Sequence, residues 1–172
     1  MAVFSSPVTR MLLASEGLTT ALLQAAAGSR VRPEVVEVSA VPAAGLPALV
    51  RRVLRAEGVG RCLMRRTRLA AADGRPVSDN IVVARKGVDP RLDTALHGPG
   101  SIGFALRDAG FRLERRILHV GRGVWPGPGR LPCACKVYVL EAGVPLVYVQ
   151  ELFHPQLVPA DRVSAAPSKV QA

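Results

Sequence analysis

The residues best placed to do chemistry lie in the last apolar run, Pro145–Phe153. Strand side chains alternate between faces, so Val147, Val149, Glu151 and Phe153 share one side. Leu146, Tyr148, Gln150 and Leu152 share the other. A carboxylate among three apolar neighbours loses its water, which raises its pKa unless a cation pairs with it. Acid/base carboxyls that work near neutral pH are made in this way. A strand-end glutamate that turns to solvent, or pairs with an arginine, has the same spacing. A second candidate is Arg66, set among Cys62, Leu63, Met64 and Leu69. The guanidinium fork suits bidentate capture of a carboxylate. Arg65 and Arg68 stand close by, so alternation alone does not single out Arg66. A third is the turn Gly98-Pro99-Gly100-Ser101-Ile102-Gly103, which leads into a helical pattern whose free N–H groups favour an anion.

Other chemistries find little support. Three cysteines, Cys62, Cys133 and Cys135, make no disulfide framework. C-x-C without a second Cys/His pair is a poor zinc site, because zinc takes four ligands. His97, His119 and His154 follow no metal-binding spacing. No metal or organic cofactor is therefore expected. There is no phosphate-cradling P-loop, no dinucleotide fingerprint after a strand and no nucleophile elbow. The formal charge of +10 raises the question of nucleic acid. But 20 of the 23 basic residues are Arg, spread along the chain without interleaved aromatics. That pattern argues against a nucleic-acid stripe, while a positive field would still attract a small anionic molecule.

The elements that must hold these residues follow from the pattern. At 172 residues the chain suits a single domain, 1–172, with a core of Val, Leu, Ala and Ile. The N-terminus lacks a signal peptide's charged and apolar regions, and no apolar run approaches the roughly 20 residues that span a bilayer. A cytoplasmic protein without membrane contact is expected. A helix is predicted over Ala21–Ala27, capped by Ser15 or Thr19 and ended by Gly28, then a strand over Val31–Ala40. Leu46–Glu57 reads as an amphipathic helix. Arg61–Ala72 and Pro76–Arg85 flank Asp73-Gly74, a strong hairpin signal. Asp89–His97 and the stretch from Ser101 to Arg107 read as helices, and Phe111–Val120 as a strand. Gly121–Pro132 reads as a Gly/Pro-rich loop, and Lys136–Leu140 with Pro145–Phe153 as a final hairpin. The tail after about residue 160 has no period and is expected to be disordered. Helices between sequential hairpins argue for an α+β fold on an antiparallel sheet.

The ordered set SEGLTTALL, LMRRTRLAAADGRPV, GSIG, ILHVGR and GVPLVYVQELFHP, spread over about residues 12–158, resembles the chorismate lyase family. The segment Gly121–Pro132 is longer and richer in Pro and Gly than that family's pattern. The resemblance implies a sheet of about six antiparallel strands with helices packed on it. It also implies an enzyme that converts chorismate to 4-hydroxybenzoate and pyruvate, with no cofactor, acting as a monomer. By position, Arg66 would hold the ring carboxylate and Glu151 would act as acid/base. The Ile102 N–H would help bind the carboxylate, and Leu18 would cover the buried ligand. The alternative is a non-catalytic domain of the related regulator-type fold that binds or senses a small aromatic acid.

Overall fold

The structure is a computed structural model that describes residues 4–161. The tail expected to be disordered lies almost wholly outside the described residues. Two short helices open the chain, α1 (Pro7–Ala14) and α2 (Thr19–Ala27), followed by strand β1 (Val31–Pro42) and helix α3 (Ala48–Val53). Then come β2 (Arg61–Ala71), β3 (Pro76–Arg85), α4 (Pro90–His97), α5 (Ile102–Asp108), β4 (Glu114–Val124), β5 (Pro132–Glu141) and β6 (Pro145–Phe153). The strands form one antiparallel sheet in the order β1-β2-β3-β6-β5-β4. The expected α+β class and six-stranded sheet are what the chain adopts. Among the described residues, no helix is long and apolar enough to cross a membrane.

Local chemistry explains most boundaries. Ser6 caps α1 by accepting from the Thr9 N–H, and Pro7 supplies the favoured proline just inside the helix. This helix is absent from the sequence reading. Gly28 ends α2 in the left-handed region, at φ 63°, where a Cβ is penalised. Neither Ser15 nor Thr19 caps α2. Leu18 occupies the N-cap position with no side-chain bond, and the Thr19 hydroxyl is used elsewhere. The helix expected over Leu46–Glu57 is cut to Ala48–Val53, since Pro47 precedes it and the chain turns at Arg55, φ 51°. Gly121–Val124, read as loop, continues β4. A Cβ at Gly123 would lie 2.8 Å from Leu152 Cδ2, so glycine here permits close packing across the sheet.

The sheet is covered on both sides. One core cluster packs Leu12 and Leu13 of α1 and Leu23 of α2 onto Leu69, Val77 and Phe153. A second packs α4 and α5 onto Leu63, Val82, Tyr138, Val147 and Val149. Leu63 and Leu69 share parity on β2, as do Val149 and Phe153 on β6, so both clusters lie on one face. The opposite face carries α3, packed on Cys62, Val83, Val137 and Tyr148. Phe153, fully buried beneath α1 and α2, should cost about 3–5 kcal/mol when cut to Ala. Urea denaturation of Phe153→Ala checks this, and a loss below 1 kcal/mol would mean that the cluster is loosely packed.

Candidate functional site

A cavity opens where the α1/α2 cluster and the α4/α5 cluster meet on the helix-covered face. The backbone register places Thr67 of β2 beside Asn80 of β3, Asn80 beside Glu151 of β6, and Glu151 beside Lys136 of β5. One row of polar side chains thus crosses four strands between two apolar clusters, and all four residues are buried. The cavity encloses about 460 Å³ between its lining atoms. Leu18, Thr19 and Thr20 come from the start of α2, and Ser101, Ile102 and Gly103 from the start of α5. The sheet supplies Thr67, Asn80, Arg115, Tyr138 and Glu151.

Glu151 is 6% exposed, and both of its oxygens are bonded. Thr19 Oγ1 donates to Oε2 at 3.1 Å, and the Tyr138 hydroxyl donates to Oε1 at 3.2 Å. Arg115 Nη1 donates in turn to Thr19 Oγ1 at 3.1 Å, and its guanidinium lies 4.1 Å from the centre of the Tyr138 ring. Burial pushes the Glu151 carboxyl above its ordinary value, against the pull of Arg115, Lys136 and the two hydroxyl donors. Burial also drives the Tyr138 phenol well up, with the neighbouring Glu151 charge adding to it. Two buried polar atoms have no partner: Asn80 Oδ1 and Arg115 Nε. Unpaired buried groups are costly, and here both belong to residues that line the cavity.

Lys136 is fully buried, with Nζ donating to the carbonyls of Leu12, at 3.1 Å, and Ser15. It ties the end of α1 to β5 and so fixes the segment that leads to Leu18. Arg65 is also fully buried and donates to the carbonyls of Ala95, at 3.2 Å, and Gly100, at 2.6 Å. It holds the Gly98–Ser101 turn and thereby the start of α5. Burial lowers its pKa.

Three of the four residues singled out from the sequence line this cavity: Leu18, Ile102 and Glu151. Arg66 does not, and the expectation that it clamps a ligand carboxylate there is corrected. Arg65 and Thr67 point to the helix-covered face, so alternation sends Arg66 to the other. There its Nε and Nη2 grip both carboxylate oxygens of Asp79 at 3.1 and 3.0 Å. Sequence reasoning missed Arg115, Lys136, Asn80 and Tyr138. A lysine inside the apolar run Cys133–Leu140 was the one available signal, because a lone charge in such a strand must find partners in the interior.

No family model matches the chain, and no curated protein matches it in sequence. Solved structures do match in fold. PhnF from Mycobacterium smegmatis aligns with a TM-score of 0.65 at 17% identity, over 89% of this chain and 70% of its own. The effector domain of PhnF alone aligns at 0.61 and 17% identity, over 87% of this chain and 96% of the domain. The C-terminal domain of the histidine utilization repressor from Pseudomonas syringae pv. tomato aligns at 0.56 and 15% identity, over 81% of this chain and all of that domain. The fold is therefore chorismate lyase-like in the form taken by effector domains of GntR-family regulators. The expectation of a lyase that makes 4-hydroxybenzoate and pyruvate is corrected by these neighbours, which are non-enzymatic ligand-binding domains of transcription regulators.

The buried lysine supplies a pH test. Burial, with Arg115 adding to it, lowers the Lys136 pKa to about 8 from an ordinary 10.5. Between those values the unfolded chain binds the extra proton, so the lysine's contribution to stability rises with pH. Cys135, pushed up to about 11 by burial, acts in the opposite direction. The informative quantity is accordingly the stability of wild type minus that of Lys136→Met. This difference should climb from pH 8 to pH 10.5 in urea denaturation, and a flat difference would show that the lysine titrates as if exposed.

Proposed function

We propose that this chain is a non-catalytic effector-binding domain that takes up a small organic acid in the cavity beside Glu151. The observation that carries the reading is the pair of buried, unpartnered polar atoms facing that cavity, Asn80 Oδ1 and Arg115 Nε. A ligand with an anionic group and a hydroxyl would satisfy both. Arg115 receives the anion, and Asn80 accepts a hydrogen bond from the hydroxyl.

The charges around the cavity agree in sign. Arg65, Arg115 and Lys136 are cations on the helix-covered face, and Glu151 is the carboxylate among them. The two fully buried cations are bonded to backbone carbonyls rather than to carboxylates. A surplus of positive charge at low dielectric favours an anionic guest. Leu18 covers the ligand, and the backbone N–H of Ile102 is a further donor to the anion.

Glu151 in this reading is a fixed acceptor that holds Thr19 and Tyr138 in place. With both oxygens already bonded, it shapes the cavity and discriminates between ligands by repelling a second anion placed near it. The fold neighbours support ligand binding as the role of such a domain, since one is described as an effector domain.

Isothermal titration with 4-hydroxybenzoate tests the proposal. Arg115→Ala should weaken binding about ten- to a hundredfold, the worth of a charge-assisted hydrogen bond of roughly 1.5–3 kcal/mol. Arg66→Lys, which keeps a cation for Asp79 on the far face, should leave affinity unchanged. Equal losses in the two variants would point to a diffuse basic surface, and no binding by wild type to this or other small acids would refute the reading.

A further inference from the structure

A second cavity lies directly against the first. It encloses about 590 Å³ between its lining atoms. Leu18, Phe111, Leu113 and Leu140 give it apolar walls, and two arginines, Arg107 and Arg115, and two glutamates complete the lining. Three residues belong to both cavities: Leu18, Gly103 and Arg115. The partition between them is thin. A Cβ built on Gly103 would lie 3.2 Å from Leu18 Cδ2, so one leucine side chain rests against a residue that has none. Leu18 is the extended N-cap residue of α2, without a side-chain bond to fix it, and Gly17 precedes it. A change of rotamer, rather than of backbone, is enough to join the two spaces.

The chemistry on the two sides differs. The inner cavity carries the polar row, the unpartnered Asn80 Oδ1 and the Glu151 cluster. The outer one offers four large apolar side chains. Arg115 stands at the junction and reaches both. We propose that the two cavities are one elongated site gated by Leu18, and that its ligand is an amphipathic carboxylic acid. The acid head enters the inner cavity, the carboxylate meets Arg115 at the neck, and an unbranched apolar chain runs past Leu18 onto Phe111, Leu113 and Leu140. This proposal rests on the reading of the inner cavity as a ligand site and adds the class of molecule that it takes.

The test is a chain-length series, butyrate, hexanoate and decanoate, titrated calorimetrically into the full chain below micelle-forming concentrations. Burying additional methylenes should raise affinity at least tenfold from butyrate to decanoate. Gly103→Ala should flatten the series by bracing Leu18 in its closed position while leaving butyrate binding within twofold. Alanine is the better helix former, so this variant keeps α5. Leu113→Trp, which fills the outer space, should flatten the series in the same way. If butyrate and 4-hydroxybenzoate bind but wild type shows no gain with length, the elongated site is wrong and the inner site stands. A gain that survives both variants places the chain elsewhere and overturns the proposal. If no acid binds at all, both readings fall.

Discussion

The structure is organised around a carboxylate buried beneath helices in the middle of a sheet. An ion taken out of water costs several kcal/mol unless charges and hydrogen bonds in the protein replace the solvent. Glu151 meets that demand from four elements. The start of α2 sends Thr19, β4 sends Arg115, β5 sends Tyr138 and Lys136, and β6 carries the acid itself. This one requirement accounts for features that look unrelated locally. Thr19 is drawn away from capping its own helix. Lys136 interrupts an apolar strand, and the same lysine pins the end of α1. The two helix pairs stop short of one another over the sheet, and the gap left above the polar row is the cavity.

Strand geometry decides which of several similar residues takes part. Arg65 and Arg66 are neighbours in sequence and belong to different structures. The first braces the turn that begins α5, on the ligand side. The second closes a bidentate ion pair with Asp79 on the α3 side, with 36% of its side chain exposed. A shift of one residue in the pairing of β2 would exchange them. The anion-binding arginine instead comes from β4, in the reading proposed here. The difference between a lyase and a sensor is thus not carried by the fold, which hosts both. In this chain it rests on where cations stand and on whether the carboxylate has a free oxygen. Glu151 has none free.

Much of the architecture was legible along the chain. Asp73-Gly74 between two apolar runs specified the β2–β3 hairpin, and Gly74 has the positive φ of 82° that such a turn requires. The bounds of β3 and β6, the end of α2 at Gly28 and the placement of α4 and α5 follow from turn chemistry and apolar period. Leu18, Ile102 and Glu151 were reached through resemblance and meet at one cavity. Two misreadings share a cause. Helix α1 is short, and its core contacts, Leu12 and Leu13, lie under a sheet that is distant in sequence. The glycines of β4 looked like a loop because glycine signals backbone freedom locally, whereas Gly123 serves close contact with Leu152 on a strand two places away.

What the amino-acid sequence determined by itself is therefore the local part: the turns, the alternation that puts Glu151 among apolar neighbours, and the antiparallel order of adjacent strands. These depend on interactions within a few residues, so the pattern of side chains is enough to state them. Which arginine faces Glu151, which polar groups form the row across β2, β3, β6 and β5, and which atoms are left without a partner depend on non-local pairing. Strand β3 pairs with β6 across some seventy intervening residues. A register set over that distance is fixed by burial of both sheet faces at once, and only the folded chain satisfies that condition.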